Sequence, residues 1–144
     1  MRRLLATAAG LSLAAGAAHA TDPAEGVWLV EAKNARVKIA PCPASAAQLC
    51  GEIVWLDKPK GDDGQPRRDE NNPDPQQRAK PLMGLMMIRD FRQAGPGRWE
   101  GGKIYDPKAG KTYASKMRVA TDGTLQVQGC VLMICKAQTW TRVR

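Results

Sequence analysis

Beyond its first twenty residues the chain predicts an all-β domain, an antiparallel sandwich or closed barrel of about eight strands. Three observations predict it. Apolar or β-branched segments recur at short, regular spacing; Gly, Pro, Asn and Asp punctuate them; and the segments read as strands joined by turns, not as helices.

Residues 1–20 are set apart first. Arg2 and Arg3, an apolar run from Leu4 to Ala18 and the small-x-small tripeptide Ala18-His19-Ala20 form the three regions of a secretory signal. The run is too short to span a bilayer as a permanent helix. Its removal takes away the single histidine of the chain, and with it any Ser-His or Cys-His nucleophile pair and any His-ligated zinc. It leaves residues 21–144 as one domain, periplasmic or secreted and not membrane-spanning.

Strands are then expected at 26–32, 35–40, 49–56, 82–92, 98–105, 111–120, 124–130 and 134–143. Asp122-Gly123 is the strongest hairpin signal, read as a type I′ turn with positive φ at both central positions. Gly95-Pro96-Gly97, and Asp106-Pro107 with Gly110, supply the neighbouring turns. Residues 57–81 hold too much Pro, Gly and charge for a strand and are expected as a long flap, with Asp74 capping a single helical turn from Pro75 to Ala79.

Cys42, Cys50, Cys130 and Cys135 form an even set in an exported chain, which reads as disulfides. Three pairings are open, and spacing favours Cys42–Cys50 with Cys130–Cys135. A four-thiolate zinc site is the rival, but seven residues separate Cys42 from Cys50, outside the usual zinc spacing.

Residues 1–20 carry two of the 22 Lys and Arg and none of the 14 Asp and Glu, so the remainder has a charge of +6. Residues 57–80 carry six charges of each sign, whereas residues 103–118 set Lys103, Lys108, Lys111, Lys116 and Arg118 against Asp106. That cationic hairpin fits an anionic envelope component, or simply keeps a strand edge soluble. Export argues against nucleic acid.

The motifs Leu49-x-Gly51-x-Ile53-x-Trp55-Leu56, Asp69-x-Asn71-Asn72-Pro73-Asp74 and Pro81-Leu82-x-Gly84-Leu85 continue with Trp99-x-Gly101-Gly102-x-Ile104-Tyr105-Asp106-Pro107-x-x-Gly110-Lys111-x-Tyr113 and Trp140-x-Arg142. Together they resemble a bacterial exported family known as domain of unknown function 2147, over nearly all of residues 21–144. The resemblance implies a lipocalin-like barrel and assigns no activity. As in lipocalins, Gly26-x-Trp28 opens the first strand and Arg142 lies in the last, which implies a Trp packed under a terminal Arg at one end of the barrel. The lipocalin Thr-Asp-Tyr motif and a clear C-terminal helix are missing.

On this reading the protein is a non-enzymatic binder of a small apolar or amphipathic ligand, with no cofactor and no metal. Trp55, Leu85, Met87 and Tyr105 are the candidate lining residues, with the mouth near the flap, and Trp28, Trp55 and Trp99 are the expected fluorescence reporters. Met83, Met86, Met87, Met117 and Met133 suit either an adaptable pocket or ordinary core. The alternative is an envelope interaction protein that uses the charged flap and the cationic hairpin. Hydrolysis by paired carboxylates and calcium binding would both draw on Asp57, Asp62, Asp63, Asp69, Glu70 and Asp74, but these lie in one hydrophilic stretch where carboxylates are normally solvated, without EF-hand order. Copper(I) at Met83, Met86 and Met87 is disfavoured because strand alternation sends Met86 and Met87 to opposite faces.

Overall fold

The computed structural model describes residues 21–144; the expected signal, residues 1–20, lies outside them. Eight antiparallel strands follow one another in chain order around a closed barrel. They are β1 (Gly26–Leu29), β2 (Ala35–Cys42), β3 (Ser45–Leu56), β4 (Met86–Gly95), β5 (Arg98–Asp106), β6 (Lys111–Val119), β7 (Leu125–Val131) and β8 (Ile134–Arg142). No helix among the described residues is long and apolar enough to cross a membrane.

Alternation along the strands builds the interior. Val37 and Ile39 on β2, Met117 and Ser115 on β6, and Leu125 and Val127 on β7 are buried, while their immediate neighbours are more open. Arg89 and Asp90 separate the buried Ile88 and Phe91, and the φ of 65° at Asp90 puts an irregularity into β4 there.

The closing seam is short. Trp28 pairs with Arg142 and Leu29 with Thr141, and the Val143 N–H donates to the Val27 carbonyl at 2.9 Å. Side chains reinforce it. The Arg142 guanidinium lies 4.2 Å from the Trp28 ring centroid, Nη1 and Nη2 donate to the carbonyls of Glu25 (2.9 Å) and Pro23 (2.6 Å), and the Thr139 N–H donates to Glu31 (2.6 Å). Gly26 makes room, since a Cβ there would stand 2.6 Å from Arg142 Nη1.

Both disulfides have the pairing favoured by spacing, Cys42–Cys50 and Cys130–Cys135, with no free cysteine. A thiolate zinc site therefore has no thiolates to use. Cys42, Cys50 and Asp90 are the one cluster of three potential metal ligands among the described residues, and its two sulfurs are bonded to each other.

Three local expectations are corrected. In the 120–124 turn only Gly123 takes a positive φ (81°); its N–H donates to Ala120 and the Ala120 N–H to Thr124, so this is not a type I′ turn. Asp122 instead accepts from the Thr124 N–H and hydroxyl, which holds its carboxyl below the usual range. Strand β3 begins at Ser45 and not 49, because the β2–β3 hairpin continues to the pair Cys42 and Ser45. Strand β4 begins at Met86 and not 82, because Pro81 and Gly84 (φ 83°) keep residues 82–85 in the loop. The expected turn after Asp74 is present as a 3-10 helix, Pro75–Gln77, with the Asp74 carboxylate accepting from the Gln76 N–H at 3.0 Å.

Candidate functional site

Antiparallel connectivity divides the barrel into two ends. The turns after β2, β4 and β6 and the segment before β1 meet at one; the turns after β1, β5 and β7 and the 57–85 loop meet at the other.

The first end is filled. Trp28, Trp99, Trp140, Phe91 and Leu125 are all fully buried or within one per cent of it. Residues 22–25 cross beneath them as a plug: Ala24 is fully buried, its carbonyl accepts from Trp28 Nε1 at 2.8 Å, and Asp22 accepts from Trp99 Nε1 at 3.2 Å. Each buried indole near this plug thus keeps its donor satisfied.

The other end is hollow. A cleft of ≈ 490 Å³ opens there between β4, β5, β6, β7 and β8. Ile104, Val127, Val131 and Ile134 give it apolar walls, and Tyr113, Lys136 and Gln138 add polar groups. Gly129 is the reason for much of the space: it sits among these residues with no side chain, and a Cβ there would make only ordinary contacts, 3.5 Å from Ile104 and 3.7 Å from Tyr113. A smaller depression of ≈ 170 Å³, bordered by Arg98, Glu100, Lys116, Arg118, Gln126 and Gln128, lies on β5–β7 away from this opening.

Of the four candidate lining residues, Met87 and Tyr105 border the cleft and Trp55 and Leu85 lie elsewhere. Trp55 stacks under Arg36, whose guanidinium is 4.7 Å from the ring centroid, and the Leu85 carbonyl accepts from the Ile53 N–H. No tryptophan borders the cleft, so Trp28, Trp55 and Trp99 are poor reporters of it. Of the methionines only Met87 does; Met117 is core, and Met83 and Met133 are exposed.

The long loop shares the open end but contributes no lining residue. It is fastened beside it. Asp69 is 1% exposed, with Oδ1 accepting from the Tyr105 hydroxyl (2.7 Å) and Oδ2 from Asn72 Nδ2 (2.7 Å). Asn71 Nδ2 donates to the Lys108 carbonyl at 3.0 Å, and the chain comes so close to Gly110 (φ 64°) that a Cβ there would collide with the Asn71 carbonyl oxygen. Burial, seconded by the Asp69 carboxylate, pushes the Tyr105 hydroxyl up from 10.0 to about 12. The expectation that every loop carboxylate is solvated thus fails at Asp69. The others are not gathered into a cluster; Asp63 and Asp74 are taken up by turns of their own, on Gln65 and Gln76.

A model of the bacterial family DUF2147, described as uncharacterized proteins conserved in bacteria, matches residues 26–142. The chain belongs to this family. Among solved structures, this DUF2147 chain is similar to protein HP1028 from the human pathogen Helicobacter pylori, which is described as belonging to the lipocalin family, with a TM-score of 0.70 and 20% identity over 83% of this chain and 82% of that one. That likeness shows a lipocalin-like fold. Comparison with curated protein sequences gave no match.

Proposed function

We propose that this DUF2147 protein is an exported, non-enzymatic carrier of a small apolar or amphipathic molecule, held in the cleft at the open end of the barrel. The carrying observation is the ≈ 490 Å³ cleft itself, a volume in the range of small-molecule sites, with apolar walls and few polar groups. An eight-stranded barrel is just wide enough to be filled by side chains or to hold one small ligand. Here one end follows the first course and the other the second. Lys136 and Gln138 on the wall favour a ligand with an apolar body and a polar or anionic head.

Three further observations support the reading. Two disulfides fit an oxidising compartment, so a periplasmic or secreted location goes with the expected signal. Asp106 is the one carboxylate bordering the cleft, and its Oδ1 accepts the N–H groups of Lys108 and Ala109, an arrangement suited to holding a turn and not to acid-base chemistry with a second carboxylate. Lipocalin-like architecture, shared with the Helicobacter pylori protein, suits an enclosed ligand.

The test is titration with a fluorescent fatty-acid analogue, read on the probe because no tryptophan borders the site. Saturable binding of one probe per chain, abolished in Gly129→Leu, is the expected result. Absence of binding, or equal binding by the variant, would overturn the assignment of the cleft.

A further inference from the structure

The most exposed apolar side chains among the described residues form one feature. Val131, Leu132, Met133 and Ile134 are consecutive and 58%, 97%, 97% and 80% exposed. They make up the tip of the β7–β8 hairpin, in which Val131 pairs with Ile134 and Leu132-Met133 is the two-residue turn. We propose that this tip is a membrane-docking finger, which seats Leu132 and Met133 in the interfacial layer of an anionic phospholipid bilayer, with Val131 and Ile134 behind them at the rim of the cleft.

The tip departs twice from what a hairpin in water favours. A two-residue turn is normally built from Gly, Asn or Asp, and here it is built from Leu and Met. Leu132 also takes φ 55°, a left-handed conformation that a γ-branched residue with no local polar partner rarely adopts. Local rules broken together at an exposed position mark a site kept for a purpose other than folding. The disulfide makes the finger stiff. Cys130 and Cys135 are register partners at the base of the tip and are bonded to each other, so little conformational freedom remains to be lost on docking.

Charge identifies the surface. In the closed barrel the tip's neighbours on the rim are the turns at 30–34 and 107–110, and the 57–85 loop lies across the opening. Those two turns, the strand ends beside them and β8 at the base of the tip carry Lys33, Lys108, Lys111 and Lys136 against Glu31 and Asp106. Both acids accept backbone N–H bonds, from Thr139 and from Lys108 and Ala109, whereas none of the four lysines has a salt-bridge partner among the described residues. An apolar point surrounded by free lysines matches hydrocarbon bordered by anionic headgroups. Shape points the same way, because a four-residue convex tip is far short of the roughly 800 Å² per partner of a stable protein interface. Docking here needs no ligand in the cleft.

The experiment is co-sedimentation of the protein, purified after export of the full chain, with phosphatidylglycerol–phosphatidylethanolamine vesicles and with phosphatidylcholine vesicles. The key variant, Leu132→Gly with Met133→Asn, gives the turn residues its φ favours and is expected to melt no lower than wild type. Its binding to the anionic vesicles should fall about tenfold or more. Lys108→Gln and Lys111→Gln should each weaken that binding by about fivefold and leave phosphatidylcholine unaffected. Wild type that fails to sediment with anionic vesicles, or a turn variant that binds as wild type does, would overturn the proposal. So would a wild-type dimer without vesicle binding that the turn variant converts to monomer, which would assign the tip to a second copy of the chain.

Discussion

The two ends of this barrel are made of the same strands and face opposite demands. At one, Trp28, Trp99, Trp140, Phe91 and the plug at residues 22–25 fill the interior; at the other, Gly129, Val127, Ile104 and Tyr113 enclose a cleft. The contrast is one of side-chain size at equivalent inward positions. On β7 and β8 it is visible within single strands: Leu125 and Trp140 pair in the filled half, while Gly129 and Lys136 pair in the hollow half. Stability is thus concentrated where the indoles are, and the opposite half is left open.

Substitution should expose that asymmetry. Trp140→Ala, in the filled end, is expected to cost about 3–5 kcal/mol in denaturant unfolding, because it empties a fully buried site. Arg142→Ala should cost about 1–2 kcal/mol by the same measurement, from the lost stacking on Trp28 and the lost bonds to Glu25 and Pro23. Equal costs for these and for Gly129→Leu would break the comparison. The latter adds a side chain whose Cβ makes only ordinary contacts at the cleft and should change stability by less than about 1 kcal/mol.

Gly110→Ala tests the fastening of the loop and not the barrel. The Cβ would collide with the Asn71 carbonyl, so hydrogen exchange should quicken at Asp69 and Asn72 while the β7–β8 ladder stays protected. The smallest effect is a titration. Tyr105 is raised in the folded state from 10.0 to about 12, so its contribution to stability is full below pH 10 and is lost as pH rises through about 12. Over that window the melting temperature of wild type should fall more steeply than that of Tyr105→Phe.

Much of the fold was legible because turn chemistry is local. Gly97, Asp106-Pro107 and Asp74-Pro75 punctuate the chain where expected, and the spacing of the cysteines picked out the observed pairing. The end closed by Trp28 and Arg142 was legible through the resemblance to lipocalins. The cleft was not, because alternation assigns two faces to every strand and only register says which is inside. Leu85 shows this: the four loop residues before Met86 move it off the strand, and the irregularity at Asp90 resets the pattern beyond it. Asp69 resembled its acidic neighbours in sequence, and its burial depends on Tyr105, 36 residues away. The apolar tip did carry a signal, since Val-Leu-Met-Ile between two cysteines has none of the residues a tight turn prefers.

The filled-and-hollow account is tested most directly by native mass spectrometry of wild type and Gly129→Leu, purified without detergent after export and followed by solvent extraction. It predicts a stoichiometric apolar or amphipathic adduct on wild type and a bare chain for the variant. A bare wild-type chain that also takes up no fatty-acid analogue, or an adduct that survives Gly129→Leu, would contradict it.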